Sequence, residues 1–309
     1  APAGARRGGP AQAPGRVAVW DSPHPMEEVY LVAGPWDLHE RDHGGVRVQA
    51  FTYAGTDSSI YNRYLRGTGR YLDLYGDLIG PYPFAKFALV ENFWQTGFGM
   101  PSFTLLGDRV IRLPFILDTS YGHEILHNWW GNGVFVDYAQ GNWCEGLTTY
   151  GADYHYRERE GPDAARDYRR GALLSYTDYV SGGEDLPLAA FRGRHDAATQ
   201  AIGYSKSMMV IHQLRRESGE DRFHDALRDF FRRNLWRRAT WSDLLASFER
   251  AAGIEAGPFL AQWVERGGAP VLSVSEARVR PEGDRWRVSA RVSQTLPDGA
   301  TGEPFDLSV

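Results

Sequence analysis

The chain has 309 residues, 42% of them hydrophobic and 13% aromatic, so it can bury one large core or two smaller ones. A net charge of −5 without a basic stripe excludes nucleic acid as an expected partner, and no apolar run reaches transmembrane length. Its single cysteine, Cys144, excludes an internal disulfide and is interpreted as a small buried residue.

The first residues carry little information about a fold. Residues 1–15 are rich in Gly, Pro and Ala and are interpreted as a flexible linker. The chain starts with Ala1 and contains no signal peptide, which is compatible with a mature form that has lost one. A periplasmic or secreted location would follow in that case; the sequence leaves both the compartment and the oligomeric state open.

The next segment is predicted to be extended. Between residues 16 and 54, three runs alternate in polarity or stay apolar and are broken by Pro and Gly, which is typical of strands. Three strands are too few for a β domain of their own. We therefore interpret residues 16–54 as the end of an N-terminal β domain.

Residues 55–267 are predicted to form one mostly helical domain. Asp57 offers an N-cap for its first helix, and two strands follow at 87–93 and 103–107 around a glycine-rich bend. Helices account for most of the remainder and are separated by Gly, Pro or capping residues; they are predicted near 144–159, 162–180, 201–217, 220–234, 241–252 and 256–265. After this domain the pattern returns to strands, so residues 268–309 are predicted to begin a C-terminal β domain.

A candidate metal site lies inside the helical domain. His123, Glu124 and His127 form the pattern H-E-x-x-H, and four residues is just over one helical turn. Both imidazoles then leave the same face of a helix, as two ligands of one tetrahedral zinc ion must. Glu145, in the next predicted helix, can be the third ligand and leave one position open for water. We predict one zinc ion on His123, His127 and Glu145.

The three fixed positions of H-E-x-x-H also occur by chance in chains of this length. Two features favour the metal site over that alternative. Apolar residues follow the histidines at helical spacing until a Gly-Asn-Gly stop at 131–133, and Glu145 lies at the distance of a second helix.

These motifs resemble those of the aminopeptidase N and leukotriene hydrolase family of zinc metallopeptidases, the gluzincins. The family patterns HExxHxWxGN and N-E-G are matched by HEILHNWWGN (123–132) and NWCEG (142–146). Over roughly residues 25–280, three more segments resemble family motifs: GPYPFAKF (80–87), IGYSKSMMVIHQL (202–214) and LAQWVERGGAPVLSV (260–274).

The resemblance implies an α+β fold, with a mostly helical thermolysin-like zinc peptidase domain that has a small sheet and is flanked by partial β-sandwich segments. It implies a peptide substrate, with Glu124 as the general base and then the general acid. Tyr204, in the matching GYSK, would donate to the oxyanion on the substrate carbonyl. The alternative for Tyr204 is an ordinary tyrosine packed in a helical core.

The sequence departs from the family in two places. The spacing between His127 and Glu145 is one residue shorter. The family's G-x-M-E-N, whose glutamate holds the substrate amine, is replaced by GFGMPSF (97–103), and Glu91 is the only nearby upstream carboxylate on that strand. Three functions stay open: an aminopeptidase with an atypical N-terminus-binding loop, a zinc endopeptidase or small-substrate hydrolase, and an inactive metal-binding module.

Overall fold

The computed structural model describes residues 6–7, 18–19, 21–180, 185–296 and 303–307. Most of the predicted linker over residues 1–15 lies outside these ranges. Within it, β1 (Arg6–Arg7) pairs antiparallel with β2 (Ala18–Val19).

The sheet of the domain has five strands in the order β3-β4-β5-β7-β6. The hairpin of β3 (Trp36–His43) and β4 (Val46–Tyr53) is antiparallel, and β4 pairs in parallel with β5 (Lys86–Asn92). β5 pairs in parallel with β7 (Phe103–Gly107), while β6 (Gly97–Met100) pairs antiparallel with β7 and forms an edge.

The sheet includes strands on both sides of residue 54, where the sequence suggested a domain boundary. β4 hydrogen-bonds to β5 in register from Arg47 opposite Lys86 to Phe51 opposite Val90. The segment 36–53 therefore belongs to the same sheet as the strands before the metal-binding helix. Period-two patterning identifies a strand but does not tell which sheet the strand joins. The wider division into domains stays a prediction.

Helix α1 (Ser58–Leu78) makes the crossover between the parallel strands β4 and β5. It begins at Asp57, whose carboxylate accepts a hydrogen bond of 2.7 Å from the Ser59 N–H. Its apolar face buries Tyr64, Leu72 and Tyr75, so the helix covers the sheet and also packs on the helices behind the site.

The rest of the domain is helical, which confirms the predicted mostly helical α+β fold with a small sheet. The described α-helices are α2 (Ser120–Leu126), α3 (Cys144–Thr149), α4 (His155–Glu160), α5 (Pro162–Tyr179), α6 (Ala197–Gln200), α7 (Ser207–Ser218), α8 (Glu220–Asn234), α9 (Trp241–Ala252) and α10 (Ala256–Phe259). Three π turns interrupt or extend them, at Tyr150–Tyr154, Ala201–Lys206 and Leu260–Val264. Single 3₁₀ turns lie at Val110–Arg112, Ile116–Asp118, Tyr138–Gln140 and Leu188–Ala190.

Buried indole rings fix the segments between the two metal-binding helices. Trp129 donates a hydrogen bond of 2.8 Å to the Gly80 carbonyl, and Trp143 donates one of 2.8 Å to the Ala239 carbonyl. The Trp143 ring also meets Phe230 edge-on at 5.1 Å. Replacing one such ring by alanine costs about 3–5 kcal/mol in protein cores, so this part of the domain is held tightly.

The last described strands form a hairpin. β10 (Val271–Glu282) and β11 (Arg285–Thr295) pair antiparallel and are mostly exposed, while β8 (Phe135–Val136) and β9 (Arg238–Ala239) form a short parallel pair. Among the described helices, none combines the length and the apolar character that a membrane span requires.

Candidate metal centre

Helix α2 presents the two histidines. Tyr121, Ile125 and Leu126 are buried on one side of the helix, and this apolar face holds it against the core. His123, Glu124 and His127 line a cavity of about 1250 Å³. The chain turns away at Gly131, whose φ of +100° is a conformation that glycine adopts readily.

The third expected ligand comes from the first turn of α3. Glu145 Oε2 lies 3.7 Å from His123 Nε2 and 3.6 Å from His127 Nε2. The structure thus brings together the three side chains that the sequence pairs as ligands, and their ligand atoms all lie within 4.8 Å of one another.

These residues fit a zinc ion. Zinc bonds of about 2.0–2.1 Å in a tetrahedron separate neighbouring ligand atoms by about 3.4 Å, close to the observed distances. Glu145 Oε2 is buried and forms no hydrogen bond within the described residues. A buried carboxylate oxygen without a partner is costly, and a cation between the two imidazoles would satisfy it.

The local charges also favour a cation. Burial lowers the pKa of His123, but the Asp153 and Glu145 carboxylates raise it more strongly, to about 10. Burial raises the pKa of Glu145, yet the neighbouring His127 and His123 lower it to about 2. The same negative field that holds a proton on His123 would attract a divalent ion in its place.

Asp153 is a site residue that sequence reasoning missed. Its carboxylate accepts a hydrogen bond of 2.7 Å from His123 Nδ1, which orients the ring with Nε2 toward Glu145. Asp153 follows Glu145 by eight residues, and in an ideal α-helix two side chains at this spacing point about 80° apart around the axis. The π turn Tyr150–Tyr154 widens the helix at this point and turns Asp153 toward the site. A carboxylate two turns after Glu145 was the signal available in the sequence.

His127 is oriented by the backbone. Its Nδ1 donates a hydrogen bond of 3.2 Å to the Trp130 carbonyl. Cys144 is buried, as predicted, and its thiol lies 3.4 Å from the same Nδ1 and 3.1 Å from the same carbonyl. The thiol therefore packs beside His127.

Glu124 faces the edge strand β6. A Cβ added to Gly97 would lie 3.1 Å from Glu124 Oε1, and one added to Gly99 would lie 2.9 Å from Oε2. Alternate residues of a strand share a face, so the two glycines together leave room for this carboxylate. The Gly-x-Gly of the bend thus has a steric role beside the expected base.

Tyr204 lies in the π turn Ala201–Lys206 and lines the same cavity. Burial, followed by the charge of Glu145, raises the pKa of its hydroxyl. The hydroxyl therefore stays protonated and can donate a hydrogen bond at neutral pH. Gly203, just before it, packs directly against the Phe191 ring and leaves no room for a side chain.

Comparison with known proteins identifies the domain. Residues 118–263 match the family model described as the Peptidase family M1 domain. The region around the described site is therefore similar to a peptidase family M1 domain. This match confirms the resemblance that the motifs around His123 and Glu145 suggested, and it covers the described site from α2 to Tyr204.

Relatives of the M1 domain support the same conclusion at modest identity. Aminopeptidase M1-D of Oryza sativa subsp. japonica is 25% identical over 273 residues, which is 81% of this chain and 31% of the relative. Aminopeptidase N of Escherichia coli is 26% identical over 195 residues, or 60% of this chain and 22% of the relative. The chain thus spans about a third or less of the length of these relatives.

A solved structure shares the fold. The M1 zinc metallopeptidase from Deinococcus radiodurans is 22% identical in sequence and superimposes with a TM-score of 0.59. The superposition covers 77% of this chain and 53% of the Deinococcus chain.

Glu91 does not line the cavity. It is fully buried, and its Oε1 forms an ion pair of 2.7 Å with Arg112. Its Oε2 accepts hydrogen bonds of 2.8 Å from the Tyr53 N–H and 2.9 Å from the Thr56 hydroxyl. Three donors from residues that do not line the cavity therefore hold the Glu91 carboxylate.

The bend itself is tied to α2. The buried Asn128 accepts a hydrogen bond of 2.8 Å from the Ser102 N–H and donates one of 2.9 Å to the Ile125 carbonyl. Ser102 has a φ of +64°, a conformation in which few non-glycine residues are found. The turn between β6 and β7 is thereby held at a set distance from the histidines.

Proposed function

We propose that this M1 domain is a zinc-dependent peptidase, and specifically an aminopeptidase with an atypical N-terminus-binding loop. The convergence of His123, His127 and Glu145 beside Glu124 is the observation that carries the proposal. The aminopeptidase names of the relatives support the reaction class.

The residues have separate roles in the proposed reaction. A zinc ion on His123, His127 and Glu145 would polarise the substrate carbonyl and lower the pKa of a water molecule. Glu124 accepts a proton from the attacking water and delivers it to the leaving amine. Tyr204 donates its hydroxyl hydrogen to the oxyanion that develops on the carbonyl.

Recognition of the substrate amine is proposed to be weakened. A pocket that selects a cationic amine needs a placed carboxylate, and Gly97–Met100 provides none. Pro101 follows and has no N–H with which to bind the substrate backbone. Other carboxylates line the cavity, Glu145 among them, but none of them lies on β6. We therefore expect less than about a hundredfold preference for a free over an acetylated N-terminus, which is below about 3 kcal/mol.

The same missing carboxylate favours a second candidate, a zinc endopeptidase or small-substrate hydrolase. Matched peptides separate the two candidates. An aminopeptidase removes the first residue of a free peptide, whereas an endopeptidase cleaves the acetylated peptide at an internal bond at a comparable rate.

The decisive experiment combines metal analysis with turnover. Protein prepared without added zinc should contain about one zinc per chain, and hydrolysis should stop with a chelator. Glu124→Gln should keep the zinc and lose a factor of about 10² to 10⁴ in turnover, because the amide cannot take up a proton. Glu160→Gln, an exposed change at the end of α4, is the control and should behave like the unmodified protein.

Three outcomes would contradict parts of the proposal. If the His123→Ala variant kept its full zinc content, the proposed metal site would be wrong. If the Glu124→Gln variant kept its turnover, a residue other than Glu124 would be the general base. Zinc binding without hydrolysis of any peptide would leave an inactive metal-binding module.

A further inference from the structure

The cavity of the M1 domain is acidic except at one point. Six carboxylate side chains line it: Glu27, Glu28, Glu124, Glu145, Asp153 and Asp167. Among the described lining residues, Arg194 is the one lysine or arginine. Away from the proposed zinc ion, most of the lining charges would repel an anionic substrate group, and Arg194 is the described lining side chain that would attract one.

The backbone on both sides of Arg194 is anchored. Before it, the Phe191 carbonyl accepts a hydrogen bond of 2.8 Å from the Asn142 N–H. After it, Asp196 and Thr199 form a capping box at the start of α6. The exposed side chain of Arg194 therefore extends from a loop whose ends are fixed.

This loop is connected to both halves of the reacting centre. Asn142 lies three residues before Glu145, and Phe191 meets the Tyr204 ring edge-on at 6.5 Å between centroids. The charge of Arg194 also reaches Tyr204, where it partly offsets the rise in the pKa of the hydroxyl that burial and Glu145 produce.

The neighbouring Arg192 has a structural role, which distinguishes the two arginines. Its guanidinium donates hydrogen bonds of 2.6 Å to the Ala189 carbonyl and 3.0 Å to the Ala139 carbonyl. For Arg194, by contrast, no ion pair or hydrogen bond to another side chain is found in the described ranges. Its guanidinium can therefore meet a ligand.

We propose that Arg194 binds a carboxylate of the substrate and thereby sets specificity for peptides that carry one close to the scissile bond. The planar guanidinium can donate two parallel hydrogen bonds to a carboxylate, and the opposite charges strengthen them. A substrate amide at the same place is uncharged and lacks this attraction. The carboxylate is either the C-terminus of a short peptide or an acidic side chain. This inference rests on the proposed peptidase function.

Matched substrates test both sources of the carboxylate. The first pair is Ala-Ala-Ala with a free or an amidated C-terminus; the second is amidated Ala-Asp-Ala and Ala-Asn-Ala. In at least one pair, the carboxylate member should have a kcat/KM about 5- to 10-fold higher, a modest factor because the guanidinium is exposed and screened. Arg194→Gln should bring that ratio close to one, mainly through KM, and leave the uncharged member within about twofold.

Binding supplies a readout that does not depend on turnover. Calorimetry on zinc-loaded Glu124→Gln, with and without Arg194→Gln, should show the same preference and its loss, and the preference should decrease as salt is raised. Arg222→Gln, an exposed change on α8 outside the cavity, should keep the preference.

The outcomes separate the two proposals. Hydrolysis of the amidated peptide reports on the peptidase function, while the ratio within each pair reports on Arg194. A ratio near one in both pairs, in turnover and in calorimetry, would overturn the role of Arg194. So would an equal loss on charged and uncharged members in Arg194→Gln, since that result would indicate an effect on Tyr204 or on folding.

Discussion

Two walls of the cavity differ sharply in charge. The wall built from α2, α3 and the π turn after α3 carries the histidines, Glu124, Glu145 and Asp153, with hydrogen bonds that orient both imidazoles. The wall built from β6 carries Gly97, Phe98, Gly99 and Met100, none of them charged. The nearby Glu91 is buried in an ion pair with Arg112.

In the proposed function, the metal and the base therefore belong to the helical wall, whereas recognition of the substrate N-terminus would depend on the strand wall. The helical wall carries the proposed metal ligands and the proposed base, while β6 on the strand wall carries no carboxylate. A change on one wall should therefore leave the property of the other nearly intact, and three substitutions examine this independence.

The largest effect among them is expected for Tyr204→Phe, which removes one hydroxyl beside the helical wall. Without a donor to the oxyanion, turnover should fall by about 10²-fold or more, with KM and zinc content nearly unchanged. Steady-state kinetics with metal analysis measure this. Tyr179→Phe, an exposed tyrosine at the end of α5, is the matched control. A less stable protein with normal turnover per folded molecule would mean that Tyr204 only packs in the core.

A smaller effect, on the metal, is expected for Asp153→Asn. The amide keeps the shape of the side chain but loses the charge that orients His123, so zinc affinity should fall by about 10- to 100-fold. Competition with a chelator of known affinity measures the change, and Asp163→Asn on the exposed start of α5 is the control. Unaltered affinity would show that the hydrogen bond to His123 contributes nothing to metal binding.

The smallest effect on catalysis is expected for Glu91→Gln, behind the strand wall. The amide cannot replace a carboxylate that accepts from Arg112, Tyr53 and Thr56, so unfolding in urea should show a loss of about 1–3 kcal/mol. The ratio of rates on free and acetylated peptides should stay the same. If this ratio falls, Glu91 reaches the substrate amine and the two walls are not independent.

Local patterns predicted a large part of the site. H-E-x-x-H places two ligands one helical turn apart whenever the segment is helical, because the spacing follows from backbone geometry alone. The boundaries of α5, α8 and α9 also lie where their caps and apolar periodicity placed them, since those signals are local.

Non-local pairing was beyond the same patterns. β4 and β5 are parallel neighbours in the sheet, although the whole of α1 lies between them in the sequence. The residue pattern of either strand does not indicate which strand it pairs with. The patterns therefore did not predict that residues 46–53 pair with β5.

By itself, then, the sequence determined the proposed metal ligands, because they follow from helical spacing and from residue types that bind zinc. The tertiary structure alone decided three further points. A π turn brings Asp153 to His123, an ion pair with Arg112 holds Glu91 away from the cavity lining, and an anchored loop brings Arg194 to the cavity. Each of these points depends on a contact between residues that are distant in the chain or on a helical irregularity. No local sequence pattern predicts such a contact or such an irregularity.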